Sequence, residues 1–271
     1  MTGEEPWARV RRLTPARVAL GRTGSALPTA EVLRFALAHA QARDAVHIPL
    51  DLDRLEATIR AAGFETRHVE SAAADRATYL ARPDLGRQLA EPARALLRSG
   101  PLAQNDLAIV VADGLSSPAA LAHAVPLLAS LAPRLAKSGL TTGPIVIATQ
   151  ARVALGDEIG ALLRARAVLV LIGERPGLSS PDSLAGYLTF GPRIGRNDAA
   201  RNCVSNIRPA GLSYESAAFK LGWLIDQAFK RQLTGVALKD NSDTLLLDGN
   251  PADRAVTMTE AAADKPVPGA L

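Results

Sequence analysis

The chain has 271 residues, which is enough for one large domain or two smaller ones with a substantial core. Apolar residues make up 48% of it, which excludes disorder throughout, and no apolar run approaches the roughly 20 residues of a membrane helix. The net charge is +4, to which residues 1–240 contribute +7 and residues 241–271 contribute −3. A single cysteine, Cys203, and an N-terminus without an apolar signal segment predict a cytoplasmic protein in a reducing compartment.

The positive charge raises the question of nucleic-acid binding. RNA-binding domains usually combine basic residues with exposed aromatic side chains that stack on bases. Aromatic residues are only 4% of this chain, and they form no basic–aromatic array. We therefore expect no nucleic-acid partner, and we assign the arginines to helix surfaces, anionic small molecules or subunit contacts.

The first hundred residues predict an N-terminal helical region. The apolar spacing over 29–47 is typical of a helix. Asp51 is a suitable N-cap for a second helix that ends at Gly63, and residues 83–100 predict a third. No convincing pair of strands occurs in residues 1–100, so we expect this region to be helical.

After residue 100, short apolar runs rich in β-branched residues alternate with helical segments. The runs that predict strands are 106–111, 144–148 and 167–172, followed by weaker candidates at 187–190 and 203–207. Strand–helix–strand–helix–strand is typical of α/β proteins and predicts a Rossmann-like or flavodoxin-like parallel-sheet domain over residues 101–240, ending in a helix over 214–233. Residues 241–271 lack periodicity and predict a weakly ordered acidic tail.

Open sheets of this kind bind ligands at the carboxyl ends of their strands. The segments directly after the three predicted strands are 113–117, 149–153 and 173–180. The sequence Gly-Leu-Ser-Ser occurs in the first and in the last of them. These repeats are either two ligand-facing loops or two helix N-caps, and the serines favour the N-cap interpretation.

Common catalytic motifs are missing. The chain has no G-x-G-x-x-G, no Walker A loop and no G-x-S-x-G, which disfavours a hydrolase built on Ser116 or Ser179. The D-x-H-x-x-G loop by which some cobalamin proteins ligate cobalt is also missing. The histidines are scattered and show no zinc pattern, so we expect surface or packed side chains at His39, His47, His68 and His123. The residues alone predict an α/β platform with no catalytic set and no metal site.

Two residues near predicted strand ends allow more than one interpretation. Glu174 follows a nearly continuous apolar strand, where a carboxylate requires hydrogen-bond partners. It is either paired with Arg175 or a helix N-terminus, or it is an acceptor for donors of a bound ligand. Cys203 is either a small buried strand residue or a ligand contact, and no basic neighbour is present to activate a thiolate.

Several long segments together resemble the small (light) subunit of ethanolamine ammonia-lyase. The resemblance covers about residues 8–240. The segments that carry it include ARVALGRTG at 16–24, VVADGLSS at 110–117, GERPGLSSPDSL at 173–184 and RNCVSNIRPAGLSYESAA at 201–218.

The resemblance implies one subunit of an adenosylcobalamin-dependent lyase that converts ethanolamine to acetaldehyde and ammonia by a radical mechanism. In that family a large TIM-barrel subunit holds the substrate, and the small subunit covers the corrin of a base-on cofactor. A hetero-oligomer that is active only with the large subunit is therefore expected.

The resemblance also implies three cobalamin contacts, at Val153, Glu174 and Cys203, and places no catalytic residue in this chain. Some family members carry a longer N-terminal extension associated with packaging in a bacterial microcompartment. Only about seven residues precede the first matched block here, so the resemblance leaves packaging open.

Overall fold

A single sheet organises the computed structural model, which describes residues 6–14, 16–99 and 105–247. Its strands are β1 (Thr66–Glu70), β2 (Leu107–Ala112), β3 (Ile145–Thr149), β4 (Ala167–Gly173), β5 (Leu184–Phe190) and β6 (Asn202–Ile207). Their order is β1-β3-β2-β4-β5-β6. The first four strands pair in parallel, and β5 and β6 add an antiparallel edge. The α/β fold predicted from the sequence is confirmed, while the antiparallel direction of the last two strands was not predicted.

Helices cover both faces of this sheet. They are α1 (Pro6–Arg12), α2 (Thr29–His47), α3 (Leu52–Ala61), α4 (Arg76–Ala81), α5 (Glu91–Ser99), α6 (Ser117–Ser138), α7 (Leu155–Leu162), α8 (Tyr214–Arg231) and α9 (Ser242–Leu247). Short 3-10 turns lie at Leu85–Arg87, Asp198–Ala200 and Gly235–Ala237. Buried residues of α3, α6 and α8 form one core layer, and those of α5 and α7 form the other.

The central strands show why their sequences are almost wholly apolar. In β2, Ile109 and Val111 belong to the core layer of α6 and α8, while Ala108 and Val110 belong to the opposite layer. Because successive side chains point to opposite faces, a strand buried on both sides has no polar position to spare. The same holds for β4, which is buried along its whole length.

The sequence did not reveal β1, which lies within the mainly helical residues 1–100 and pairs in parallel with β3 along its full length. Its sequence, Thr-Arg-His-Val-Glu, buries only Val69. Charged and polar side chains are common on edge strands, and here they hide the strand signal. β1 belongs to the same sheet as the later strands. The predicted boundary between two domains at residue 100 stays a prediction.

The predicted helix over 83–100 is divided into the 3-10 turn Leu85–Arg87 and α5. Pro92 lies in the first turn of α5, where its missing N–H costs no helical hydrogen bond. The predicted N-cap is confirmed, since the Asp51 side chain accepts from the Arg54 N–H at 3.1 Å.

The predicted tail is helical at its start. In α9, Asp243 accepts a hydrogen bond from the Lys220 ammonium of α8 at 2.6 Å. The remainder of the predicted tail, 248–271, lies outside the described residues.

Among the described residues, α6 is long and apolar enough to span a membrane by length and composition alone. It is instead the central helix of one core layer and packs against the sheet and α8.

Candidate ligand-binding site at the strand ends

A cavity of about 650 Å³ opens at the carboxyl ends of β2, β3 and β4, where the sequence predicted a ligand site. Its wall contains the residues that follow these strands and residues of β5, β6 and α4. They are Tyr79, Gly114, Leu115, Arg152, Val153, Ile172, Gly173, Glu174, Arg175, Gly177, Ser179, Ser180, Ser183, Tyr187, Asn206, Arg208 and Ala210. Strand ends and the loops after them therefore build most of the wall.

Asp113, the first residue after β2, fixes the floor of this cavity. Its buried carboxylate accepts from the backbone N–H of Gln150 at 2.8 Å and of Ala151 at 3.0 Å. The Arg76 guanidinium of α4 lies 3.3 Å away. Burial raises the pKa of Asp113, while these donors lower it and hold the carboxylate in place. The carboxylate thus ties the loops after β2 and β3 together just before Val153.

Two glycines bring the loops after β2 and β4 into direct backbone contact. Gly114 has a φ of +58°, and a Cβ there would lie 2.2 Å from the Gly173 carbonyl oxygen. A Cβ on Gly173 would lie 2.0 Å from the Ser116 carbonyl oxygen. The Leu115 N–H donates to the Gly173 carbonyl at 3.0 Å. Only glycine permits this approach, which closes the floor of the cavity.

Tyr79, on α4, is a fully buried part of the wall that the sequence did not single out. Its hydroxyl donates to the Ala151 carbonyl at 3.1 Å. The guanidinium carbons of Arg76 and Arg152 lie 4.9 Å and 4.3 Å from its ring centroid. Burial raises the pKa of Tyr79, so it remains a neutral phenol between two cations.

Arg152 lines the cavity and has one hydrogen-bond donor without an acceptor among the described residues. One of its Nη atoms donates to the Tyr79 carbonyl at 3.3 Å. Its Nε is buried and has no acceptor among the described residues. An unpaired buried N–H is costly, and because this Nε is buried, an oxygen atom of a ligand would reach it only after the side chain moved.

Val153 and Glu174, two of the three predicted site residues, line the same cavity. The half-buried Val153 side chain also packs on the core layer of α5 and α7. Glu174 Oε2 accepts from the backbone N–H of Asn206 at 2.9 Å. This contact replaces the predicted alternative of a pair with Arg175. The other oxygen, Oε1, has no partner among the described residues and is available to a ligand.

Cys203 lies on β6, outside the cavity wall. It pairs with Tyr187 of β5, and Tyr187 itself lines the cavity. Cys203 is exposed, so the prediction of a buried strand residue is wrong. The protein around its sulfur nevertheless desolvates the thiolate and, with the Glu174 carboxylate nearby, raises the pKa of the thiol. A raised pKa disfavours a nucleophilic role, as the sequence predicted.

The two Gly-Leu-Ser-Ser segments differ in structure. Ser116 is the N-cap of α6, where its hydroxyl accepts from the Ala119 N–H at 3.4 Å and donates to the Pro181 carbonyl at 2.9 Å. Gly177 and Ser180 instead form a turn with two backbone hydrogen bonds, and no helix follows. The N-cap interpretation is therefore correct for the first segment and wrong for the second. Because the Ser116 hydroxyl is buried and already engaged, it offers no nucleophile for hydrolysis.

The histidines are surface or packed residues, as predicted. His39 and His47 are exposed on α2. His68 Nε2 lies 3.1 Å from the Thr149 hydroxyl, and the buried His123 Nδ1 lies 2.8 Å from the Tyr214 hydroxyl.

An open sheet with a polar-lined cavity at its strand ends defines an α/β protein with a candidate ligand site. The family model described as ethanolamine ammonia-lyase light chain (EutC) matches residues 4–239. The chain belongs to this family.

Individual relatives agree with the family match. The ethanolamine ammonia-lyase small subunit of Xanthomonas campestris pv. campestris (strain ATCC 33913) is 54% identical over 254 residues, which cover 93% of each chain. The Azotobacter vinelandii small subunit is 55% identical over 249 residues, covering 91% of this chain and 92% of the relative. The Pseudomonas aeruginosa PAO1 small subunit is 53% identical over 251 residues, covering 92% of each.

Proposed function

We propose that this chain is the small subunit of an ethanolamine ammonia-lyase and that its strand-end cavity covers adenosylcobalamin. The reaction would convert ethanolamine to acetaldehyde and ammonia by a radical mechanism. The observation that carries the proposal is the position of Val153 and Glu174 in one cavity wall. These are two of the three residues that the family resemblance implies as cobalamin contacts.

The size of the cavity supports a shared site. Pockets of about 300–1,000 Å³ enclose drug-sized ligands, and a corrinoid with its nucleotide tail is considerably larger. A cavity of about 650 Å³ can therefore cover one part of the cofactor only. The remaining surface of the cofactor requires a second protein, which we propose to be a TIM-barrel large subunit in a hetero-oligomer.

The chemistry of the wall suits the rim of a corrin, which carries amide groups that both donate and accept hydrogen bonds. Glu174 Oε1 is an acceptor without a partner among the described residues, and Arg152 brings a guanidinium group to the same wall. Val153, which follows Arg152 in the chain, adds an apolar side chain to the same wall. When bound, adenosylcobalamin supplies the radical that starts the reaction.

The role of this chain is therefore binding and orientation. Asp113 and the glycine contacts fix the floor, Tyr79 fixes Arg152, and the backbone of Asn206 fixes the Glu174 carboxylate. We assign no catalytic residue to the chain. Cys203 enters the proposal through Tyr187, its neighbour on the next strand.

Co-expression with the cognate large subunit tests the proposed function. The purified complex should bind adenosylcobalamin and release acetaldehyde from ethanolamine, and neither subunit alone should do so. Full activity of the large subunit alone would contradict the shared site. A complex that forms but does not bind adenosylcobalamin would contradict the assigned cofactor. The cytoplasmic location and the possible packaging in a microcompartment remain predictions.

A further inference from the structure

Exposed apolar side chains are concentrated at the N-terminal end of the chain. Of the twelve large apolar side chains that are exposed in the described residues, nine lie between residues 7 and 48. They are Trp7, Val10, Leu13, Leu27, Val32, Leu33, Phe35, Leu37 and Ile48. Scattered exposed apolar residues are ordinary, but a cluster of this kind marks an interaction surface.

Helix α2 has apolar residues on two opposite sides. Ala38 and Ala45 are buried on the side that faces the protein. Val32, Leu33 and Leu37 are 48%, 64% and 60% exposed. With 3.6 residues per turn, these three share the opposite side with the exposed Ala36. A second apolar stripe on the solvent side of a helix, besides the one that faces the protein, is typical of an interaction surface.

We propose that this outer side of α2, formed by Val32, Leu33, Ala36 and Leu37 and here called the α2 face, docks against the large subunit. The inference rests on the proposed function because it takes the large subunit as the partner. It adds to that function the surface by which the two chains associate.

Charge predicts a partner surface that is largely apolar. The charged residues of α2 are Glu31, Arg34, Arg43 and Asp44, so the net charge of the helix is zero. They pair as Arg34 with Glu31 and Arg43 with Asp44. The expected partner surface is therefore an apolar groove, and a second copy of the chain is an outcome that the experiment below distinguishes.

Position also favours the large subunit over the chain's own C-terminal segment. The family model matches residues 4–239, so α2 lies within the shared region and 248–271 lies beyond it. A surface in the shared region is better explained by a partner that the family has in common.

Helix α2 approaches the cavity through Phe35, which neighbours the α2 face. The Arg17 guanidinium lies 5.7 Å from the Phe35 ring centroid of α2. It also lies 3.4 Å from the carbonyl oxygen of Leu178, between Gly177 and Ser179 of the cavity wall. A subunit on α2 would therefore extend to the rim of the cavity that it helps to close.

Exposed substitutions on α2 test the proposal. Leu33→Glu and Leu37→Glu should each weaken association with a tagged large subunit at least tenfold. The affinity is measured by titrating the tagged large subunit with each purified variant of this chain. Val236→Glu is the matched control, since Val236 is 80% exposed and far from α2 in sequence. The control should associate normally. All three variants should unfold at the wild-type temperature, because the changed side chains are solvent-exposed in the isolated chain.

Unchanged association of both α2 variants would overturn the proposal. So would a homodimer of the isolated chain, measured by light scattering, that both variants dissociate without affecting the large subunit. Binding to anionic phospholipid vesicles that the variants abolish, with normal subunit association, would have the same consequence. A chain ended at Leu247 should bind the large subunit as the full chain does, and a gain in affinity would instead assign the α2 face to the tail. A complex that forms through α2 yet binds no adenosylcobalamin would contradict the proposed function and leave the docking surface intact.

Discussion

The Glu174 carboxylate and the Asn206 backbone N–H are joined by a hydrogen bond of 2.9 Å that connects the end of β4 to β6. Asn206 has a φ of +57°, a left-handed conformation that asparagine adopts more often than most residues. The bond spans the antiparallel edge of the sheet and leaves one Glu174 oxygen toward the cavity. It makes Glu174 a positioned ligand acceptor rather than a surface charge.

Removal of this carboxylate should weaken cofactor binding. We expect Glu174→Ala to lower the adenosylcobalamin affinity of the subunit complex about tenfold, because a hydrogen bond to a charged group contributes about 1.5 kcal/mol. Glu174→Gln should lose less, since its amide oxygen can still accept from Asn206. Affinity is measured by spectroscopic titration of the purified complex.

Glu215→Gln is the control for this change, because Glu215 is exposed in the first turn of α8 and outside the cavity. It should bind the cofactor normally. Equal affinities for wild type and Glu174→Ala would remove Glu174 from the site.

The single thiol should react slowly. Desolvation by the surrounding protein, and then the Glu174 carboxylate, raises the pKa of Cys203, so less thiolate is present at pH 8. Iodoacetamide should therefore alkylate the folded chain more slowly than the same chain unfolded in urea. Glu174→Gln should speed the reaction of the folded chain by removing the nearby negative charge. In the subunit complex, adenosylcobalamin should protect Cys203 if the thiol contacts the cofactor. Mass spectrometry over time measures all three rates, and a folded thiol that reacts as fast as the unfolded one would contradict the raised pKa.

The sequence predicts the parts of the site that depend on single strands. β2, β3 and β4 are recognisable because burial on both faces leaves apolar runs, and the residues after them reach the cavity as the parallel-sheet rule requires. Family resemblance, and not residue spacing, supplied Val153 as a candidate.

Tertiary contacts decide the remainder. Tyr79 reaches the cavity from α4, and its position depends on stacking with two arginines, which leaves no mark in the local sequence. Cys203 reaches only Tyr187 because the antiparallel register of β5 and β6 sets that pair. The strand Thr66–Glu70 was missed because it lies at the edge of the sheet, where most of its side chains are not fully buried. Its residues are therefore mainly polar and do not show the apolar pattern by which the other strands were recognised.

The Ser116 hydroxyl should stabilise the fold through both of its hydrogen bonds. Ser116→Ala removes the N-cap of α6 and leaves the Pro181 carbonyl without its donor, with an expected cost of about 1–2 kcal/mol in the free energy of unfolding. Ser130→Ala, within α6, removes only a bond to the Pro126 carbonyl and should cost less than about 0.5 kcal/mol. Urea titration compares them, and equal costs would contradict the capping role.

The glycine contact at the cavity floor should tolerate no side chain. We expect Gly173→Ala to destabilise the protein by about 2–3 kcal/mol, because its Cβ would meet the Ser116 carbonyl oxygen at 2.0 Å and force the backbone to move. Gly139→Ala is the control. Gly139 caps α6 at a φ of +70°, and a Cβ there would have nothing within 4 Å, so only its backbone conformation, at about 1 kcal/mol, opposes the change. Thermal unfolding ranks the two variants, and a smaller loss for Gly173→Ala would show that the loops do not approach as described.

Asp106 should make the stability of the fold depend on pH in the acid range. Its carboxylate accepts from the backbone N–H of Thr141 at 3.0 Å and from Arg166 at 2.9 Å. These two hydrogen bonds connect the start of β2 to the start of β4 and to the segment before β3. The Thr141 N–H, and then Arg166, lowers the pKa of Asp106 in the folded state. A lowered folded pKa means that Asp106 stabilises the fold fully above its unfolded pKa of about 3.9, and that this contribution disappears as the pH falls through the folded value.

The difference in the free energy of unfolding between wild type and Asp106→Asn should therefore be constant above about pH 5 and shrink at lower pH. Urea titrations from pH 7 to pH 3 measure it, with Asp226→Asn, at an exposed position on α8, as the control substitution. A difference that grows toward acid pH would contradict the sign of the Asp106 shift.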